Sequence, residues 1–407
     1  MSDITHTITR LGHLGDGIAD GPIFAARTLP GEVVRGDVAG DRIETPKIVT
    51  PSSDRIKPAC PHYNTCGGCS LMHASDEFVA NWKTEIVRNA LNYHGIETEF
   101  RPIHTSPARS RRRAVLSARR GKKAPIVGFH GRRSGTITEI TNCHLIHPEI
   151  LQALPALGEL TTLGASRKGE LSINATVSDA GPDVSVTGGK PLDRALQAEL
   201  GQAVNRFGFA RLSWDGEVIA METPPAQSFG AAAVTPPPGA FLQATREGEA
   251  ALLAAVREAI GNSERIIDLF AGCGTFALPL AENASVHAVE GVDSMLKALD
   301  AGWRHAQGLH EVTTETRDLF RNPLYAEDLK RFDAAVIDPP RAGAEAQIEQ
   351  IAASDLSVVA MVSCNAVSFA RDAKILLDAG FEMDWIQVVD QFRWSAHTEQ
   401  VAKFQRR

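Results

Sequence analysis

Cys364 stands in Ser363-Cys364-Asn365, directly after the apolar run 356–362. Asp338-Pro339-Pro340-Arg341 closes a second apolar run. A thiol at the carboxyl end of a buried strand, beside a nucleotide-type pocket, is placed to act as a nucleophile. The pocket is suggested by residues 265–282: a short apolar strand, the turn Ala271-Gly272-Cys273-Gly274-Thr275, then a helical pattern. Such a glycine loop suits S-adenosylmethionine. A thiolate beside a methyl donor points to methylation of carbon, because amines and hydroxyls need no covalent help. The best-fitting acceptor is C5 of a pyrimidine in RNA.

A second strand, 286–290, ends in Glu290, 22 residues after Asp268. This is Rossmann-like logic: glycines let the backbone approach the ligand, and the acid accepts hydrogen bonds from ribose hydroxyls. The full dinucleotide fingerprint is missing, and a Gly-x-Gly pair after Asp268-Leu269-Phe270 reads as a methyltransferase loop rather than an NAD loop. Asp338 is expected at the carboxyl end of a third strand, where open α/β sheets bind ligands. Arg341 follows the prolines where amine methyltransferases carry an aromatic residue, which disfavours an amine acceptor. Asp318 lies in the segment that often meets the adenine of the cofactor.

Uracil C5 is a poor nucleophile. Addition of a thiolate to C6 makes an enolate, and C5 then becomes reactive. The C5 proton must later leave, which requires a base. Glu399, in His397-Thr398-Glu399, is the candidate, on the second strand of an antiparallel pair 383–390 and 399–404. A base stacked in folded RNA hides its C6 edge, so the target uridine must be flipped out or lie in a loop.

Cys60, Cys66 and Cys69 fall in one glycine-bent loop, and Cys143 can supply a fourth thiol. Four thiolates suit a [4Fe–4S] cluster or zinc, and spacing alone leaves both open. The spacing is not the tighter Cys-x3-Cys-x2-Cys of radical-SAM enzymes.

The chain that must position these groups has 407 residues, 43% of them hydrophobic, enough for two or three domains with ample core. No segment approaches the roughly 20 apolar residues of a membrane span, and mean hydropathy is −0.12. The start, Met1 to His6, lacks a signal pattern, so a cytoplasmic protein is expected. Net charge is −7, yet residues 101–133 carry eleven Lys or Arg and no acid. That block, with Arg111-Arg112-Arg113 at its centre, is a candidate phosphate footprint. Short β-like runs with glycine turns fill 1–52 and predict a small β-barrel. An amphipathic helix is expected over 75–94, and strands over 171–177 and 183–187. The Pro/Ala-rich stretch 223–239 reads as the main connector, after which helices and apolar strands alternate, implying a parallel sheet.

Together these motifs resemble the SAM-dependent RNA 5-methyluridine methyltransferases, in particular the iron–sulfur subgroup that modifies 23S ribosomal RNA. The resemblance covers nearly the whole chain. It implies an α/β protein with a C-terminal class I (Rossmann-like) methyltransferase domain at 237–407, a shortened TRAM-like (OB-like) barrel at 1–52, and a central α+β RNA-binding, iron–sulfur domain at 53–236. By the same resemblance Cys364 is the nucleophile and Glu399 the base. Gln243 (in Phe241-Leu242-Gln243), Phe270, Thr275, Glu290, Asp318 and Asp338 line the S-adenosylmethionine pocket. Cys60, Cys66, Cys69 and Cys143 hold a [4Fe–4S] cluster of structural or RNA-binding role. The partner is RNA, with no membrane and no obligate protein partner, and the chain acts as a monomer. Where relatives carry Asn-Ala, residues 301–306 here read Ala301-Gly302-Trp303-Arg304-His305-Ala306. The same chemistry on a tRNA T-loop uridine, on cytosine C5, or a non-catalytic RNA-binding iron–sulfur protein are the alternatives. Cytosine enzymes typically place Pro before the nucleophile, and Ser363 stands here.

Overall fold

The computed structural model describes residues 4–406; Met1–Asp3, which open the expected leaderless start, and Arg407 lie outside the described residues. The alternating apolar strands after residue 260 form an eight-stranded sheet. Its order is Val312–Thr316, Ser285–Glu290, Arg265–Leu269, Ala334–Ile337, Val358–Ser363, Gln400–Arg406, Phe381–Asp390, Phe100–Thr105. All neighbours run parallel except Gln400–Arg406, which is antiparallel to both strands it pairs with. The chain order reverses beside Arg265–Leu269, and the crevice at that switch point receives the ends of the Asp268 and Asp338 strands. Apolar cores fill both faces of the sheet, as parallel strands buried on both sides require.

The last strand of that sheet comes from far upstream. Phe100–Thr105 pairs with Phe381–Asp390, and the helix Asp76–Tyr93 packs Val87 and Leu91 into the core beneath it. Within the stretch 53–236 that the sequence reading assigned to a central unit, Phe100–Thr105 joins the C-terminal sheet and the helix Asp76–Tyr93 packs on it. The helix starts where expected, because Ser75 accepts a hydrogen bond from the Phe78 N–H at 3.2 Å and Asp76 and Glu77 fill the first turn.

Residues 113–221 form a seven-stranded sheet, ordered Ile137–Glu139, Pro125–His130, Arg113–Arg120, Glu170–Ser178, Gly181–Thr187, Arg211–Trp214, Glu217–Met221. Helices Pro148–Gly164 and Arg194–Phe207 share one apolar core with it. Near the N-terminus six short strands make a separate sheet over a core of Ile8, Ala19, Ala25, Val34 and Ile43. The stretch read as a plain connector contains a hairpin, Gln227–Phe229 with Ala232–Val234. Val234 packs against Gly302, which explains a glycine inside the helix Asp293–His305: a Cβ there would stand 2.6 Å from Val234. No helix among the described residues is long and apolar enough to cross a membrane.

The basic block is not one exposed footprint. Arg112 is buried, donating to the Gln243 carbonyl (3.1 Å) and pairing with Glu249. Arg119 pairs with Glu170 at 2.6 Å, and Arg132 and Arg133 both reach Asp16. Arg101 pairs with Glu258 and stacks 3.7 Å from Trp385. Exposed cations remain at the hairpin tip: Arg120, Lys122 and Lys123. Clustering in sequence misled because the partners that take up these cations, Glu249, Glu170, Asp16 and Glu258, lie on distant elements.

Candidate active site

Three strands lead at their carboxyl ends to Glu290, Asp338 and Cys364. Arg265–Leu269 ends in Phe270, which adopts φ 64°, a left-handed conformation unusual for a non-glycine residue. Its ring lies 5.3 Å from that of Phe320, which is half exposed. The glycine turn follows. Gly272 has φ 56° and nothing within 4 Å of where a Cβ would stand, so the turn borders open space. Gly274 has φ 94°, and a Cβ would collide with Leu278 and Leu299. Thr275 is half-buried just beyond. Glu290 closes the turn by accepting from Gly272 N (3.1 Å) and Val292 N (3.0 Å). Asp318 accepts from the Phe320 N–H at 3.0 Å and thereby orders the Phe320 loop. A backbone cradle next to open space, an aromatic pair and an acid at the second strand end fit an adenosine-type ligand.

The opposite wall is a chain of buried polar side chains. Gln243 donates to Asp338 Oδ2 at 3.1 Å. Gln391 donates to Gln243 Oε1 at 2.6 Å and to Glu399 Oε2 at 2.8 Å. Burial drives the Glu399 carboxyl up to about 8, Asp338 adds to this by repulsion, and the Gln391 hydrogen bond opposes it. Burial likewise pushes Asp338 up to about 7, against the Gln243 hydrogen bond. Asp268 is buried behind them, with neither oxygen in a hydrogen bond of ordinary geometry. Burial, Asp338 and Glu290 raise it well above the usual carboxylate range.

Cys364 is half-buried between the strand Val358–Ser363 and the helix Ala366–Asp378. Asn365 caps that helix by accepting from Val367 N at 3.1 Å, and its amide donates to the Arg341 carbonyl at 2.8 Å. The Asp338-Pro339-Pro340-Arg341 loop is thus tied to the thiol's own turn. Burial, then Glu399, then Asp338 push the thiol up to about 11, while the Arg341 guanidinium pulls it down. Cys364, Glu399 and Asp338 therefore share one electrostatic neighbourhood, although the strands are far apart in sequence. His397 is exposed at its rim, its ring 5.7 Å from Phe392; partial desolvation by the surrounding protein, then the nearby Arg341, Lys83 and Arg111, lowers its pKa.

The sequence reading missed Gln391 and Lys83. Lys83, fully buried, donates to Asp390 at 2.6 Å and to the Phe392 carbonyl at 3.1 Å, and so pins the residues on either side of Gln391. Nothing in residue type marks either one. The only available signal was a lysine on the apolar face of an amphipathic helix.

Cys60, Cys66, Cys69 and Cys143 line one small cavity with Met72, Phe129 and Ile140. All six cysteines are free thiols. Burial raises Cys60, Cys66 and Cys69, and repulsion from Cys143 adds to each. Among the described residues no three Cys, His, Asp or Glu are close enough to hold a single metal ion. Four thiols around one cavity are a donor set that suits either zinc or an iron–sulfur cluster.

No protein-family model matches the chain. It is 42% identical over 399 residues to an uncharacterised RNA methyltransferase of Brucella suis, covering 97% of this chain and 96% of that one. It is 30% identical to the 23S rRNA (uracil(1939)-C(5))-methyltransferase of Vibrio vulnificus, over 98% and 95% of the two chains. The solved Pyrococcus abyssi tRNA (uracil-54, C5)-methyltransferase, in complex with S-adenosyl-L-homocysteine, superposes with TM-score 0.79 over 99% of this chain and all of that one, at 22% identity. That likeness establishes the α/β fold.

Proposed function

The chain belongs to the RNA methyltransferase family, and we propose that it transfers a methyl group from S-adenosylmethionine to C5 of a uridine in 23S ribosomal RNA through a covalent Cys364–C6 adduct. The observation that carries this reading is the half-buried Cys364 thiol in one neighbourhood with the buried Glu399 carboxylate, beside an adenosine-type cradle. The rRNA substrate is favoured by the 30% identity to the Vibrio enzyme over nearly both full lengths.

Gln243, Phe270, Thr275, Glu290, Asp318 and Asp338 would hold S-adenosylmethionine, which supplies an electrophilic methyl group on a positively charged sulfur. Cys364 bonds to C6 of the flipped uracil, and the C5–C6 π electrons move to O4 as an enolate. Arg341 favours the thiolate needed for this step. The enolate electrons of C5 would form the bond to the methyl group, restoring the O4 carbonyl, with the neutral thioether as leaving group; Glu399 then removes the C5 proton. The electrons of that C–H bond re-form the C5–C6 double bond, the C6–sulfur bond breaks, and Cys364 leaves as the thiolate. A carboxyl near 8 suits this task, since a base works best with a pKa near the operating pH.

Cys60, Cys66, Cys69 and Cys143 hold a [4Fe–4S] cluster in this reading, with a structural rather than redox role. Phosphate contacts come from Arg120, Lys122 and Lys123 in place of the buried Arg112. The protein acts as a cytoplasmic monomer.

The test is methylation of unmodified 23S rRNA and of tRNA by protein purified without air, with labelled S-adenosylmethionine and nucleoside mass spectrometry. 5-Methyluridine in 23S fragments alone is expected. 5-Methyluridine in tRNA alone would overturn the substrate, and transfer to neither would overturn the reaction.

A further inference from the structure

We infer that Gln391 is a positioning residue of the reaction: its side-chain amide clamps the Glu399 carboxylate to Gln243, fixing the base relative to the Asp338 wall of the pocket. The inference rests on the reading of Glu399 as the base.

The amide's orientation is not free. The Ala244 backbone N–H can only donate, and it lies 2.7 Å from Gln391 Oε1. The Gln391 NH2 group must therefore face the other way. Its two protons have two acceptors, Gln243 Oε1 at 2.6 Å and Glu399 Oε2 at 2.8 Å. Because Gln243 Oε1 is thereby an acceptor, the Gln243 NH2 group is directed to Asp338 Oδ2, at 3.1 Å. One backbone N–H thus sets the polarity of a series that ends on a carboxylate at each side.

The clamp is itself held. Gln391 is 1% exposed. Lys83 binds Asp390 before it and the Phe392 carbonyl after it. A Cβ on Gly248, in the first turn of the helix Arg246–Ile260, would stand 2.7 Å from Gln391 Cβ, so the helix abuts this side chain. A side chain with its rotamer locked on three sides, making its hydrogen bonds to working residues, is the arrangement that keeps a base in register.

Asp338 repels Glu399 from the end of the strand Ala334–Ile337, and Cys364 does so when ionised. The Lys83–Asp390 pair neutralises itself at 2.6 Å. His397 stands two residues away and is exposed, and Arg341 acts on Cys364 and His397. Gln391 is the side chain that favours the charged form of Glu399. Without it, proton abstraction needs a higher pH.

The test uses full-length Gln391→Met, which fills similar space without a donor. Gln391→Asn is the second variant: it keeps the amide but is one methylene too short to reach both partners. Turnover on RNA is measured from pH 6 to 10, with the fraction of enzyme trapped as a denaturant-stable RNA adduct. At pH 7 kcat is expected to fall about ten- to a hundredfold, the loss associated with one hydrogen bond to a charged group. The acid limb of the profile should move up by about one unit or more, adduct should accumulate, and most activity should return near pH 9.5. A purely structural residue would lower activity equally at all pH values, and that result, or an unshifted profile with kcat within threefold, overturns the inference. Wild-type protein that makes no 5-methyluridine, or Glu399→Gln that turns over normally, would instead overturn the reading beneath it.

Discussion

Replacing Glu399 by Gln separates the two halves of the proposed reaction. The change is nearly isosteric, and its carbonyl oxygen can still accept the Gln391 hydrogen bond that Oε2 now receives at 2.8 Å. Folding should therefore survive. The electrostatics shift in two ways. Cys364 is held up to about 11 partly by Glu399. At pH 8 such a thiol is ionised in roughly one molecule in a thousand. Removing the carboxylate charge lowers the thiol's pKa, and each unit of lowering gives about ten times more thiolate. Addition to C6 becomes easier while loss of the C5 proton is stalled. Turnover should fall about 10²–10⁴-fold, the usual contribution of one general base, equivalent to roughly 3–5 kcal/mol of barrier. The assay is a denaturing gel with labelled RNA, beside nucleoside mass spectrometry of the adduct after protease digestion. Adduct carrying a methylated base should approach one per enzyme in Glu399→Gln and be missing in Cys364→Ala, which should not methylate at all. Glu399→Gln that turns over within threefold of wild type, or accumulates no adduct while folded, refutes the assignment.

Stability should fall with rising pH. Burial raises both Asp338 and Glu399, so the folded chain keeps protons that the unfolded chain gives up above the ordinary 3.8 and 4.5. Their contribution is complete below those values and erodes as pH rises through 7 and 8, and Asp338→Asn should flatten thermal midpoints measured across that window. Lys83→Met leaves Asp390 buried without its partner and should cost about 3–5 kcal/mol, read as a lower urea midpoint; Lys83→Met combined with Asp390→Asn should recover part of it. Charge reversal of Arg120, Lys122 and Lys123 should weaken RNA binding and flatten the log–log salt dependence by about two units, at roughly 0.7 per lost phosphate contact. Arg112→Ala should lower stability rather than change the salt slope, because its partner Glu249 is left at a buried site.

What could be read in the sequence was local. An apolar run followed by a turn told where Cys364, Glu290 and Asp338 would stand, because a strand of four to six residues places its end group at the sheet's edge by construction. Ser75 with Asp76 and Glu77 announced a helix start for the same reason. What could not be read was set by tertiary contact. The strand Phe100–Thr105 joins a partner nearly 300 residues later, and no periodicity encodes that choice. The role of Arg112 depends on its contacts with Glu249 and Gln243, more than 100 residues away in sequence. Gln391 is one residue past a strand end, and its meaning appears only once Ala244, Gln243 and Glu399 surround it. Five of the six strands near the N-terminus blur for a different reason: segments of two to four residues, such as Gly17–Ala19 and Arg42–Ile43, are too short to show alternation.

The cysteine site and Glu399, the proposed base, are linked through a chain of hydrogen bonds, which gives the proposed cluster a checkable purpose. Directly after Cys69, the N–H groups of Ser70 and Leu71 both donate to the Trp394 carbonyl, at 2.8 and 2.9 Å. Tyr63, between Cys60 and Cys66, donates to the Ser70 carbonyl at 2.7 Å. Trp394 is nearly buried, shares its core with Cys143 and Cys69, and holds φ 59°. It lies five residues before Glu399. Loosening the cysteine loop therefore releases the loop that delivers the base, while the Gly272–Glu290 cradle sits on other strands and keeps its own hydrogen bonds. Cys69→Ser should lose iron and acid-labile sulfide, of which wild type should hold about four each for a [4Fe–4S] cluster. Its kcat should fall more than about tenfold, the usual scale for a lost supporting contact, with S-adenosylmethionine affinity within about threefold of wild type. Equal loss of cofactor binding would mean general unfolding rather than release of one loop. Full activity after complete loss of iron would show that the thiol site does not hold Glu399 in place.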